Sequence, residues 1–324
     1  MRYTDVNLSL PDVRPTGRDL HRPECVLATR AGVLFVSDQR GGITRIGPDG
    51  SQVLIAPAAD STAPPLLPNG FALLRDGSFA IANLSPSGGV WRLRPTGEVE
   101  PMLLEIDGRR LGSVNFVWLD SEERLWVSVS TVRVGDHEFR GDIADGFIIL
   151  MDGSGPRIVA RDIGWTNETR IDAEGRHLYV NETFGRRLTR FRLAPDGSLS
   201  ERETVATFGD GTYPDGLAID REGCLWVVSV VSNRVIRVTP DGEQTILLED
   251  SDPAHVEACE TAFREGRLGR PLVWDNHATV LGNTTSIAFA GADGRTIHLG
   301  CLNGTSLATL RSPVAGLEPV HWTW

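Results

Sequence analysis

Apolar and polar positions follow one pattern six times along this chain. Each copy has a polar landmark residue, an apolar run, a tight turn eight residues after the landmark, and a second apolar strand. The landmarks are Glu24, Asn69, Asn115, Asn167, Asp215 and Ser286, and the turn residues are Gly32, Gly77, Glu123, Gly175, Gly223 and Gly294. The landmarks are 45, 46, 52, 48 and 71 residues apart. This period predicts an all-β fold, a six-bladed β-propeller forming a single domain over residues 1–324.

The first strand of each propeller blade lines the central channel, so equivalent landmarks should meet on one axis. Glu24, Asn115, Asn167 and Asp215 would then form a ring of two carboxylates and two amide oxygens. An oxygen-only set of this kind suits Ca²⁺ or a similar hard cation. The alternative is a binding propeller whose landmarks are ordinary turn residues, because Asn and Asp favour turns.

Two segments interrupt the repeat. Residues 252–276 lengthen the interval between the last two landmarks and contain a predicted short helix, HVEACETAFREG. An insertion between blades either caps the channel mouth or forms a solvated excursion. A second loop, residues 133–145, offers Arg133, Asp136 and His137 for substrate contact. The last blade could be completed by the N-terminal VNLSL or by the C-terminal LEPVHW.

Charge and composition exclude several functions. The net charge of −11 and the pI near 5.2 disfavour nucleic-acid binding, which needs a basic surface. All 32 basic residues are Arg, so Schiff-base chemistry and a P-loop lysine are absent. We find no signal peptide and no apolar window of membrane-spanning length, which predicts a cytoplasmic protein without a membrane partner.

The spacing of the cysteines and histidines matches no known metal-binding or redox motif. The four cysteines lack CxxC spacing and are predicted to be small buried apolar residues. The seven histidines have no metal-ligand spacing, and none is a landmark. His137 and His277 lie in the two interrupting segments and are expected at the surface. GxSxG, Walker, GxGxxG and HExxH motifs are absent.

These residues carry a family resemblance. The phrase YPDGLAIDREGCLWV around Asp215 resembles the senescence marker protein, gluconolactonase and luciferin-regenerating-enzyme family, and the likeness covers roughly residues 20–312. The resemblance implies a six-bladed propeller that binds a divalent metal in its channel through Glu24, Asn167 and Asp215. It also implies that Asn115 contacts metal or substrate. The paraoxonases and diisopropyl fluorophosphatase look similar at the level of this ring.

The chain departs from the family pattern at several positions. Cys25 and Glu168 stand where family members often have glycine after a metal ligand. Ser113 and Phe116 replace an Arg and an Asp that sugar-lactone members commonly carry around the third-blade Asn. The metal set is therefore better preserved than the sugar-contacting set.

Hydrolysis of a lactone, a cyclic ester, fits this set of residues. A divalent ion, most simply Ca²⁺ but also Zn²⁺, Mg²⁺ or Mn²⁺, would polarise the carbonyl and activate a water. Asp215, rather than Glu24, is the expected general base, and Asn115 would hold the small-molecule substrate. Glu168 is a candidate second acid/base residue, with a surface or supporting carboxylate as the preferred alternative. A metal-dependent phosphotriester or ester hydrolase and a non-catalytic binding propeller remain as alternative functions.

Overall fold

The computed structural model describes residues 3–133 and 139–324. Within these ranges the chain forms six four-stranded antiparallel sheets, in which strands that are consecutive in sequence are hydrogen-bonded neighbours, apart from the strand that closes the last sheet. The sequence-based prediction of a six-bladed β-propeller is confirmed. Among the described residues, no helix is long and apolar enough to span a membrane.

The chain enters the fold through a short 3₁₀ turn (Leu10–Asp12) and strand β1 (Arg14–Thr16). Blade 1 contains β2 (Val26–Ala28), β3 (Leu34–Asp38), β4 (Gly42–Ile46) and β5 (Gln52–Ile55). Blade 2 contains β6 (Pro68–Leu73), β7 (Phe79–Asn83), β8 (Val90–Leu93) and β9 (Val99–Leu103), and a small hairpin follows, β10 (Glu105–Ile106) and β11 (Arg109–Arg110). Blade 3 contains β12 (Phe116–Leu119), β13 (Leu125–Val129), β14 (Gly146–Asp152) and β15 (Gly155–Ile163).

Blade 4 contains β16 (Thr166–Ile171), β17 (His177–Glu182), β18 (Arg187–Leu193) and β19 (Leu199–Thr207). Blade 5 contains β20 (Thr212–Ile219), β21 (Leu225–Val231), β22 (Arg234–Val238) and β23 (Gln244–Leu248). The two helices α1 (Pro253–Arg264) and α2 (Arg270–Val273) precede blade 6, which contains β24 (Thr284–Ala290), β25 (Thr296–Cys301) and β26 (Leu307–Arg311).

The N-terminal side of the chain closes the last blade. Strand β1 pairs with β26 and forms the outer edge of blade 6, with Pro15 opposite Ala308. This strand lies just after the VNLSL segment and is separate from both sequences proposed for the role. Closure joins the beginning and the end of the repeat array, so the last blade does not present its β26 edge to solvent.

The tight turns behave as their spacing predicts. All six turn residues have positive φ, from 57° at Glu123 to 84° at Gly223. A residue with a Cβ is strained in this left-handed region, which explains glycine at five of the six positions. Glu123 is the exception and forms an exposed ion pair with Arg75.

Replacing Gly175 by alanine should lower the free energy of unfolding by about 1–2 kcal/mol, the penalty of a side chain in the left-handed region. A Cβ at Gly175 would meet no atom within 4 Å, so backbone strain at φ +67° is the whole cost. Gly153 is a matched control, because its Cβ would also meet nothing and its φ is outside that region. Denaturant unfolding should find Gly153→Ala close to wild type; equal losses in both variants would contradict this explanation.

Buried tryptophans pack between neighbouring blades. Trp126 and Trp226 are fully buried, and their indole N–H groups donate to Asp120 (2.8 Å) and Asp220 (2.9 Å). Each of these aspartates also accepts a backbone N–H from the following turn. One carboxylate therefore fixes both the turn and the indole ring. All four cysteines are buried free thiols, as expected.

Candidate metal centre and cap

The repeat brings five landmarks together at one end of the channel. Glu24, Asn69, Asn115, Asn167 and Asp215 line a single cavity of about 60 Å³. Each of them lies on the first strand of its blade or within two residues before it. All five side chains are buried, with Asp215 the most exposed at 9%. We call Glu24, Asn115, Asn167 and Asp215 the ring; Ser286 is buried on blade 6 and does not line this cavity.

Backbone irregularities occur where several landmarks lie on their strands. The pairing register shifts between Pro68 and Phe71, between Thr166 and Thr169, and between Pro214 and Leu217. Each interval contains a landmark. A bulge re-aims the local side chains without ending the strand. The register shifts therefore turn these polar side chains into the channel, although the strands that carry them are mostly apolar.

Three ring oxygens have no hydrogen-bond partner although they are buried. They are Glu24 Oε2, Asn115 Oδ1 and Asn167 Oδ1. Buried polar atoms are almost always paired, so three unpaired acceptors around one cavity require an explanation. A bound hard cation satisfies all three at once, because carboxylate and amide oxygens are its preferred ligands. The residues present therefore fit a divalent metal ion.

Hydrogen bonds fix the orientation of the ring residues. Asn167 donates through Nδ2 to Thr183 Oγ1 (2.9 Å), and Thr183 donates in turn to the Pro214 carbonyl (2.7 Å). With its amide nitrogen engaged, Asn167 turns its oxygen to the cavity. Asn181 donates to the Asp215 carbonyl at 3.0 Å. Blades 4 and 5 are thereby locked together next to two ring residues.

Arg22 is part of this site and was missed by the sequence analysis. It lies two residues before Glu24, adopts a φ of +49° and is buried. Its guanidinium donates to Asn69 Oδ1 at 2.6 Å and lies 5.6 Å from the Trp274 ring centre. Asn69 also donates to the Asn115 carbonyl at 2.9 Å. Asn69 therefore supports Asn115 and Arg22, and its own oxygen is already occupied by a cationic side chain.

The carboxylates of the site are electrostatically coupled. Burial raises the pKa of Glu24 to about 8, against the opposing charge of Arg22. Burial, followed by repulsion from Glu24 and Glu168, raises the pKa of Asp215 well above its ordinary value. Buried carboxylates of like charge resist joint ionisation unless a cation joins them. Joint ionisation of Glu24 and Asp215 is therefore unfavourable in the absence of a bound cation.

Glu168 is buried, at 3% exposure, so of the surface and supporting positions expected for this carboxylate the surface one is wrong. It occupies a position where family members often have glycine. Its Oε2 accepts from Arg170 Nη2 (2.7 Å) and from the Leu217 backbone N–H (3.1 Å). Burial raises its pKa to about 7, with Arg170 opposing. Glu168 does not line the ring cavity, and its charge contributes to the raised pKa of Asp215.

Aromatic residues form the wall of the ring cavity. Phe139, Trp165 and Phe184 contact one another with ring centres 4.7 to 4.9 Å apart. Of the predicted loop residues, Arg133 is exposed and pairs with Asp145 at 3.2 Å, whereas Asp136 and His137 lie outside the described residues. Ser113 donates to the Leu84 carbonyl, and Phe116 is buried in the core. The two departures around Asn115 thus remain outside the cavity lining.

The inserted segment covers the mouth of this cavity. We call residues 252–277 the cap; it contains the predicted helix as α1 and also α2. Arg270, Val273 and Trp274 of the cap line the ring cavity. Of the two expectations for this insertion, the structure therefore shows the capping arrangement.

A buried carboxylate anchors the cap to the propeller. Glu260 on α1 accepts from Arg186 Nη2 (2.8 Å), from the Gly211 backbone N–H (2.7 Å) and from Tyr213 Oη (3.0 Å). Phe263, one turn later, packs edge-on against Tyr213 with ring centres 5.5 Å apart. These contacts fix α1 on blades 4 and 5.

Replacing Glu260 by alanine should lower the free energy of unfolding by about 3 kcal/mol or more, because Arg186 would lose its buried partner. Glu257→Ala on the same helix is the control. The Glu257 side chain is 70% exposed and pairs with Arg264 at 3.0 Å, so its loss should cost no more than about 0.5 kcal/mol. Similar unfolding midpoints for the two variants in urea would show that Glu260 does not anchor the cap.

A second, larger cavity lies at the other end of the channel. It measures about 930 Å³ and is lined by Phe116, Trp118, Arg170 and the C-terminal residues 317–321, among others. No ring residue lines it. We place the chemistry in the smaller cavity, since that is where the unpaired oxygens and the coupled carboxylates lie.

Known proteins share this sequence pattern and fold. A family profile described as the SMP-30/gluconolactonase/LRE-like region matches residues 22–254. A 6-deoxy-6-sulfogluconolactonase of Pseudomonas putida is 27% identical over 177 residues, which cover 53% of this chain and 57% of that protein. The matched segments span about half the length of the curated relatives.

Solved structures extend the likeness to nearly the whole chain. A luciferin-regenerating enzyme superimposes with a TM-score of 0.68 at 16% identity, covering 99% of both chains. A calcium-binding protein, regucalcin, of Agrobacterium tumefaciens superimposes with a TM-score of 0.65 at 16% identity, covering 96% of this chain and 95% of that one. At these identities the structures establish the shared fold.

Proposed function

Because the chain belongs to the SMP-30/gluconolactonase/LRE-like family, we propose that it is a lactonase that hydrolyses a cyclic ester at the ring with one bound divalent ion. The observation that carries the proposal is the set of three buried, unpaired oxygens around one cavity. Glu24, Asn167 and Asp215 would hold the ion, with Asn115 beside it. Ca²⁺ is the preferred ion because the donor set contains only oxygen atoms.

A bound divalent ion supplies Lewis-acid polarisation of the ester carbonyl and lowers the pKa of a nearby water. The protein's part begins with Asp215, whose carboxylate accepts the proton of the attacking water and then returns it to the ester oxygen that is released when the C–O bond of the ring breaks. Asn181 and Thr183 hold the backbone of residues 214 and 215 in place for this transfer. Asn115 presents Oδ1 to the cavity and can accept a hydrogen bond from a substrate hydroxyl or from the water.

The environment of the ring assists this chemistry. The buried positive charge of Arg22 interacts with Glu24 and Asp215. The negative charge of Glu168 acts on Asp215. The aromatic wall and Trp274 exclude bulk water, which strengthens electrostatic interactions inside the cavity. The cavity of about 60 Å³ is smaller than the roughly 300–1,000 Å³ of ordinary ligand pockets. A substrate must therefore displace side chains of the cap or of the wall.

The cavity lining suggests which lactones to test. Aromatic rings favour a flat or partly apolar substrate face, while Arg270 at the mouth favours an anionic substituent. A suitable panel contains aliphatic lactones, neutral sugar lactones and sugar lactones that carry a carboxylate or sulfonate. Hydrolysis is followed by proton release with chelator-stripped protein, before and after addition of Ca²⁺, Mg²⁺, Mn²⁺ or Zn²⁺.

The expected result is hydrolysis of at least one lactone class that depends on an added ion. Metal binding without lactone hydrolysis, but with hydrolysis of a phosphotriester, would replace this proposal by the phosphotriesterase alternative. If the protein binds an ion and hydrolyses neither class, it is a binding propeller.

A further inference from the structure

The cap carries a second cluster of metal-binding side chains, separate from the ring. His255, Asp275 and His277 each place one potential ligand atom within 4.8 Å of the others. The two imidazole rings stack with centres 4.5 Å apart and an angle of 13° between their planes. His277 Nε2 lies 2.9 Å from Asp275 Oδ2.

Local structure brings these residues together from two parts of the cap. His255 lies in the first turn of α1, which begins after Asp252 accepts the backbone N–H groups of Ala254 and His255. Asp275 and His277 belong to the loop that follows α2. A spacing of about twenty residues hides the cluster from a sequence motif search, and only the folded cap shows it.

A cysteine stands next to the cluster on the same helix. Cys259 is four residues after His255, so the two side chains share one face of α1. Its buried sulfur lies 3.7 Å from His255 Nε2. Cys259 is nevertheless outside the group of ligand atoms that all lie within 4.8 Å of one another, and burial raises the pKa of its thiol to about 12. It therefore neighbours the cluster without completing the ligand set.

The donor types differ from those of the ring. The ring offers only oxygen atoms, whereas this cluster offers two imidazoles and a carboxylate, the usual ligands of Zn²⁺. Burial, followed by repulsion from His277, lowers the pKa of His255, although Asp275 and Asp252 oppose the shift. Asp275 and His277 are half exposed, which gives an ion access from solvent.

We propose that His255, Asp275 and His277 form a Zn²⁺ site that ties α1 to the segment after α2, with a water as the fourth ligand. Asp275 directly follows Trp274, which lines the ring cavity. An ion at this site would fix the cap residue that covers the ring. The site itself does not depend on the proposed lactonase function.

Zinc stoichiometry tests this site in the full-length protein. The parent is a Glu24→Gln/Asp215→Asn double variant, in which the ring is disabled. After chelator treatment, equilibrium dialysis against Zn²⁺ should find one ion per chain. Adding His277→Ala or Asp275→Asn should weaken binding at least roughly tenfold. Visible absorption of Co²⁺ bound in place of Zn²⁺ should show tetrahedral coordination in the parent and lose it in His277→Ala.

A matched control is available elsewhere in the chain. His177 Nδ1 lies 2.9 Å from Asp172 Oδ2, the same length as the contact of His277 Nε2 with Asp275, but its ring neighbours Tyr179. His177→Ala should leave zinc binding unchanged. Equal zinc affinity in the parent and in both cap variants, or no bound zinc in the parent, would overturn the proposal.

The ring and the cap can be judged separately in the same experiment. With an otherwise native ring, His277→Ala should lower the bound zinc by one ion per chain. If the ring binds no metal, the wild-type chain holds only the cap ion and His277→Ala holds none. If the cap binds no metal, His277→Ala matches the wild type whatever the ring does.

Discussion

Asp215→Asn is expected to lower lactone turnover by roughly 10²–10⁴-fold, the usual contribution of a positioned general base. Asparagine keeps the size of the side chain and one oxygen ligand but cannot accept the proton of the water. It also removes one negative charge from a buried, coupled set of carboxylates. The measurement is kcat for a hydrolysed lactone at saturating calcium, so that a loss of metal affinity is separated from a loss of proton transfer.

Asp210→Asn provides the matched control for this variant. Asp210 is five residues earlier, and its side chain is 75% exposed. Its replacement should leave kcat within about twofold, as is usual for surface substitutions. Asp215 would lose its assigned role if Asp215→Asn kept its turnover number at saturating calcium. A loss that more calcium fully restores would leave Asp215 as a metal ligand only.

Calcium binding to the ring should strengthen at least roughly fiftyfold between pH 6 and pH 8. Burial raises the pKa of Glu24 to about 8, so the metal-free site holds a proton that the ion must displace. Below that pKa each pH unit costs about tenfold in affinity for one displaced proton. Asp215 titrates in the same direction and adds to the effect. Calorimetry in buffers of different ionisation enthalpy counts the protons released.

The raised pKa of Glu24 also decides whether the metal-free protein becomes more or less stable as the pH rises. The folded pKa of Glu24 lies above its unfolded value, so the folded state binds more protons between about pH 4.5 and 8. The free energy of unfolding of the metal-free protein should therefore fall as the pH rises through this range. Glu24→Gln should remove much of both effects. A calcium affinity that does not change from pH 6 to pH 8 would contradict the coupled-carboxylate description.

Much of the fold could be predicted from the sequence, because it depends on the conformational preferences and the spacing of residues close together in the chain. A left-handed turn residue is required once in each blade, and glycine supplies it at five of six positions; the structure confirms positive φ at all six. The landmarks were predictable because their spacing follows the blades. The helix in the cap was also predictable from its own sequence.

Contacts between distant segments explain what the sequence could not show. Arg22 reaches Asn69 only because its own φ is positive, a conformation that no pattern around a non-glycine residue indicates. Strand β1 is three residues long, too short to carry a periodic pattern, and it joins blade 6 from the opposite end of the chain. The burial of Glu168 depends on Arg170 and on Leu217 of the next blade.

The position of the cap also depends on contacts between distant segments. Its helix was predicted, but its position above the ring depends on Glu260 meeting Arg186 and Tyr213 across the fold. The stacking of His255 on His277 joins two segments without regular spacing. Propeller loops carry specificity, and their tertiary contacts decide it.

The most direct test of the central claim is a calcium titration of chelator-stripped His277→Ala protein, in which the ring is intact. Bound calcium and lactone hydrolysis are measured in the same samples. We expect hydrolysis to rise in proportion to bound calcium and to level off at one ion per chain, with Glu24→Gln requiring a much higher calcium concentration. Full hydrolysis without any ion, or saturated calcium binding without a change in hydrolysis, would contradict a metal-dependent ring.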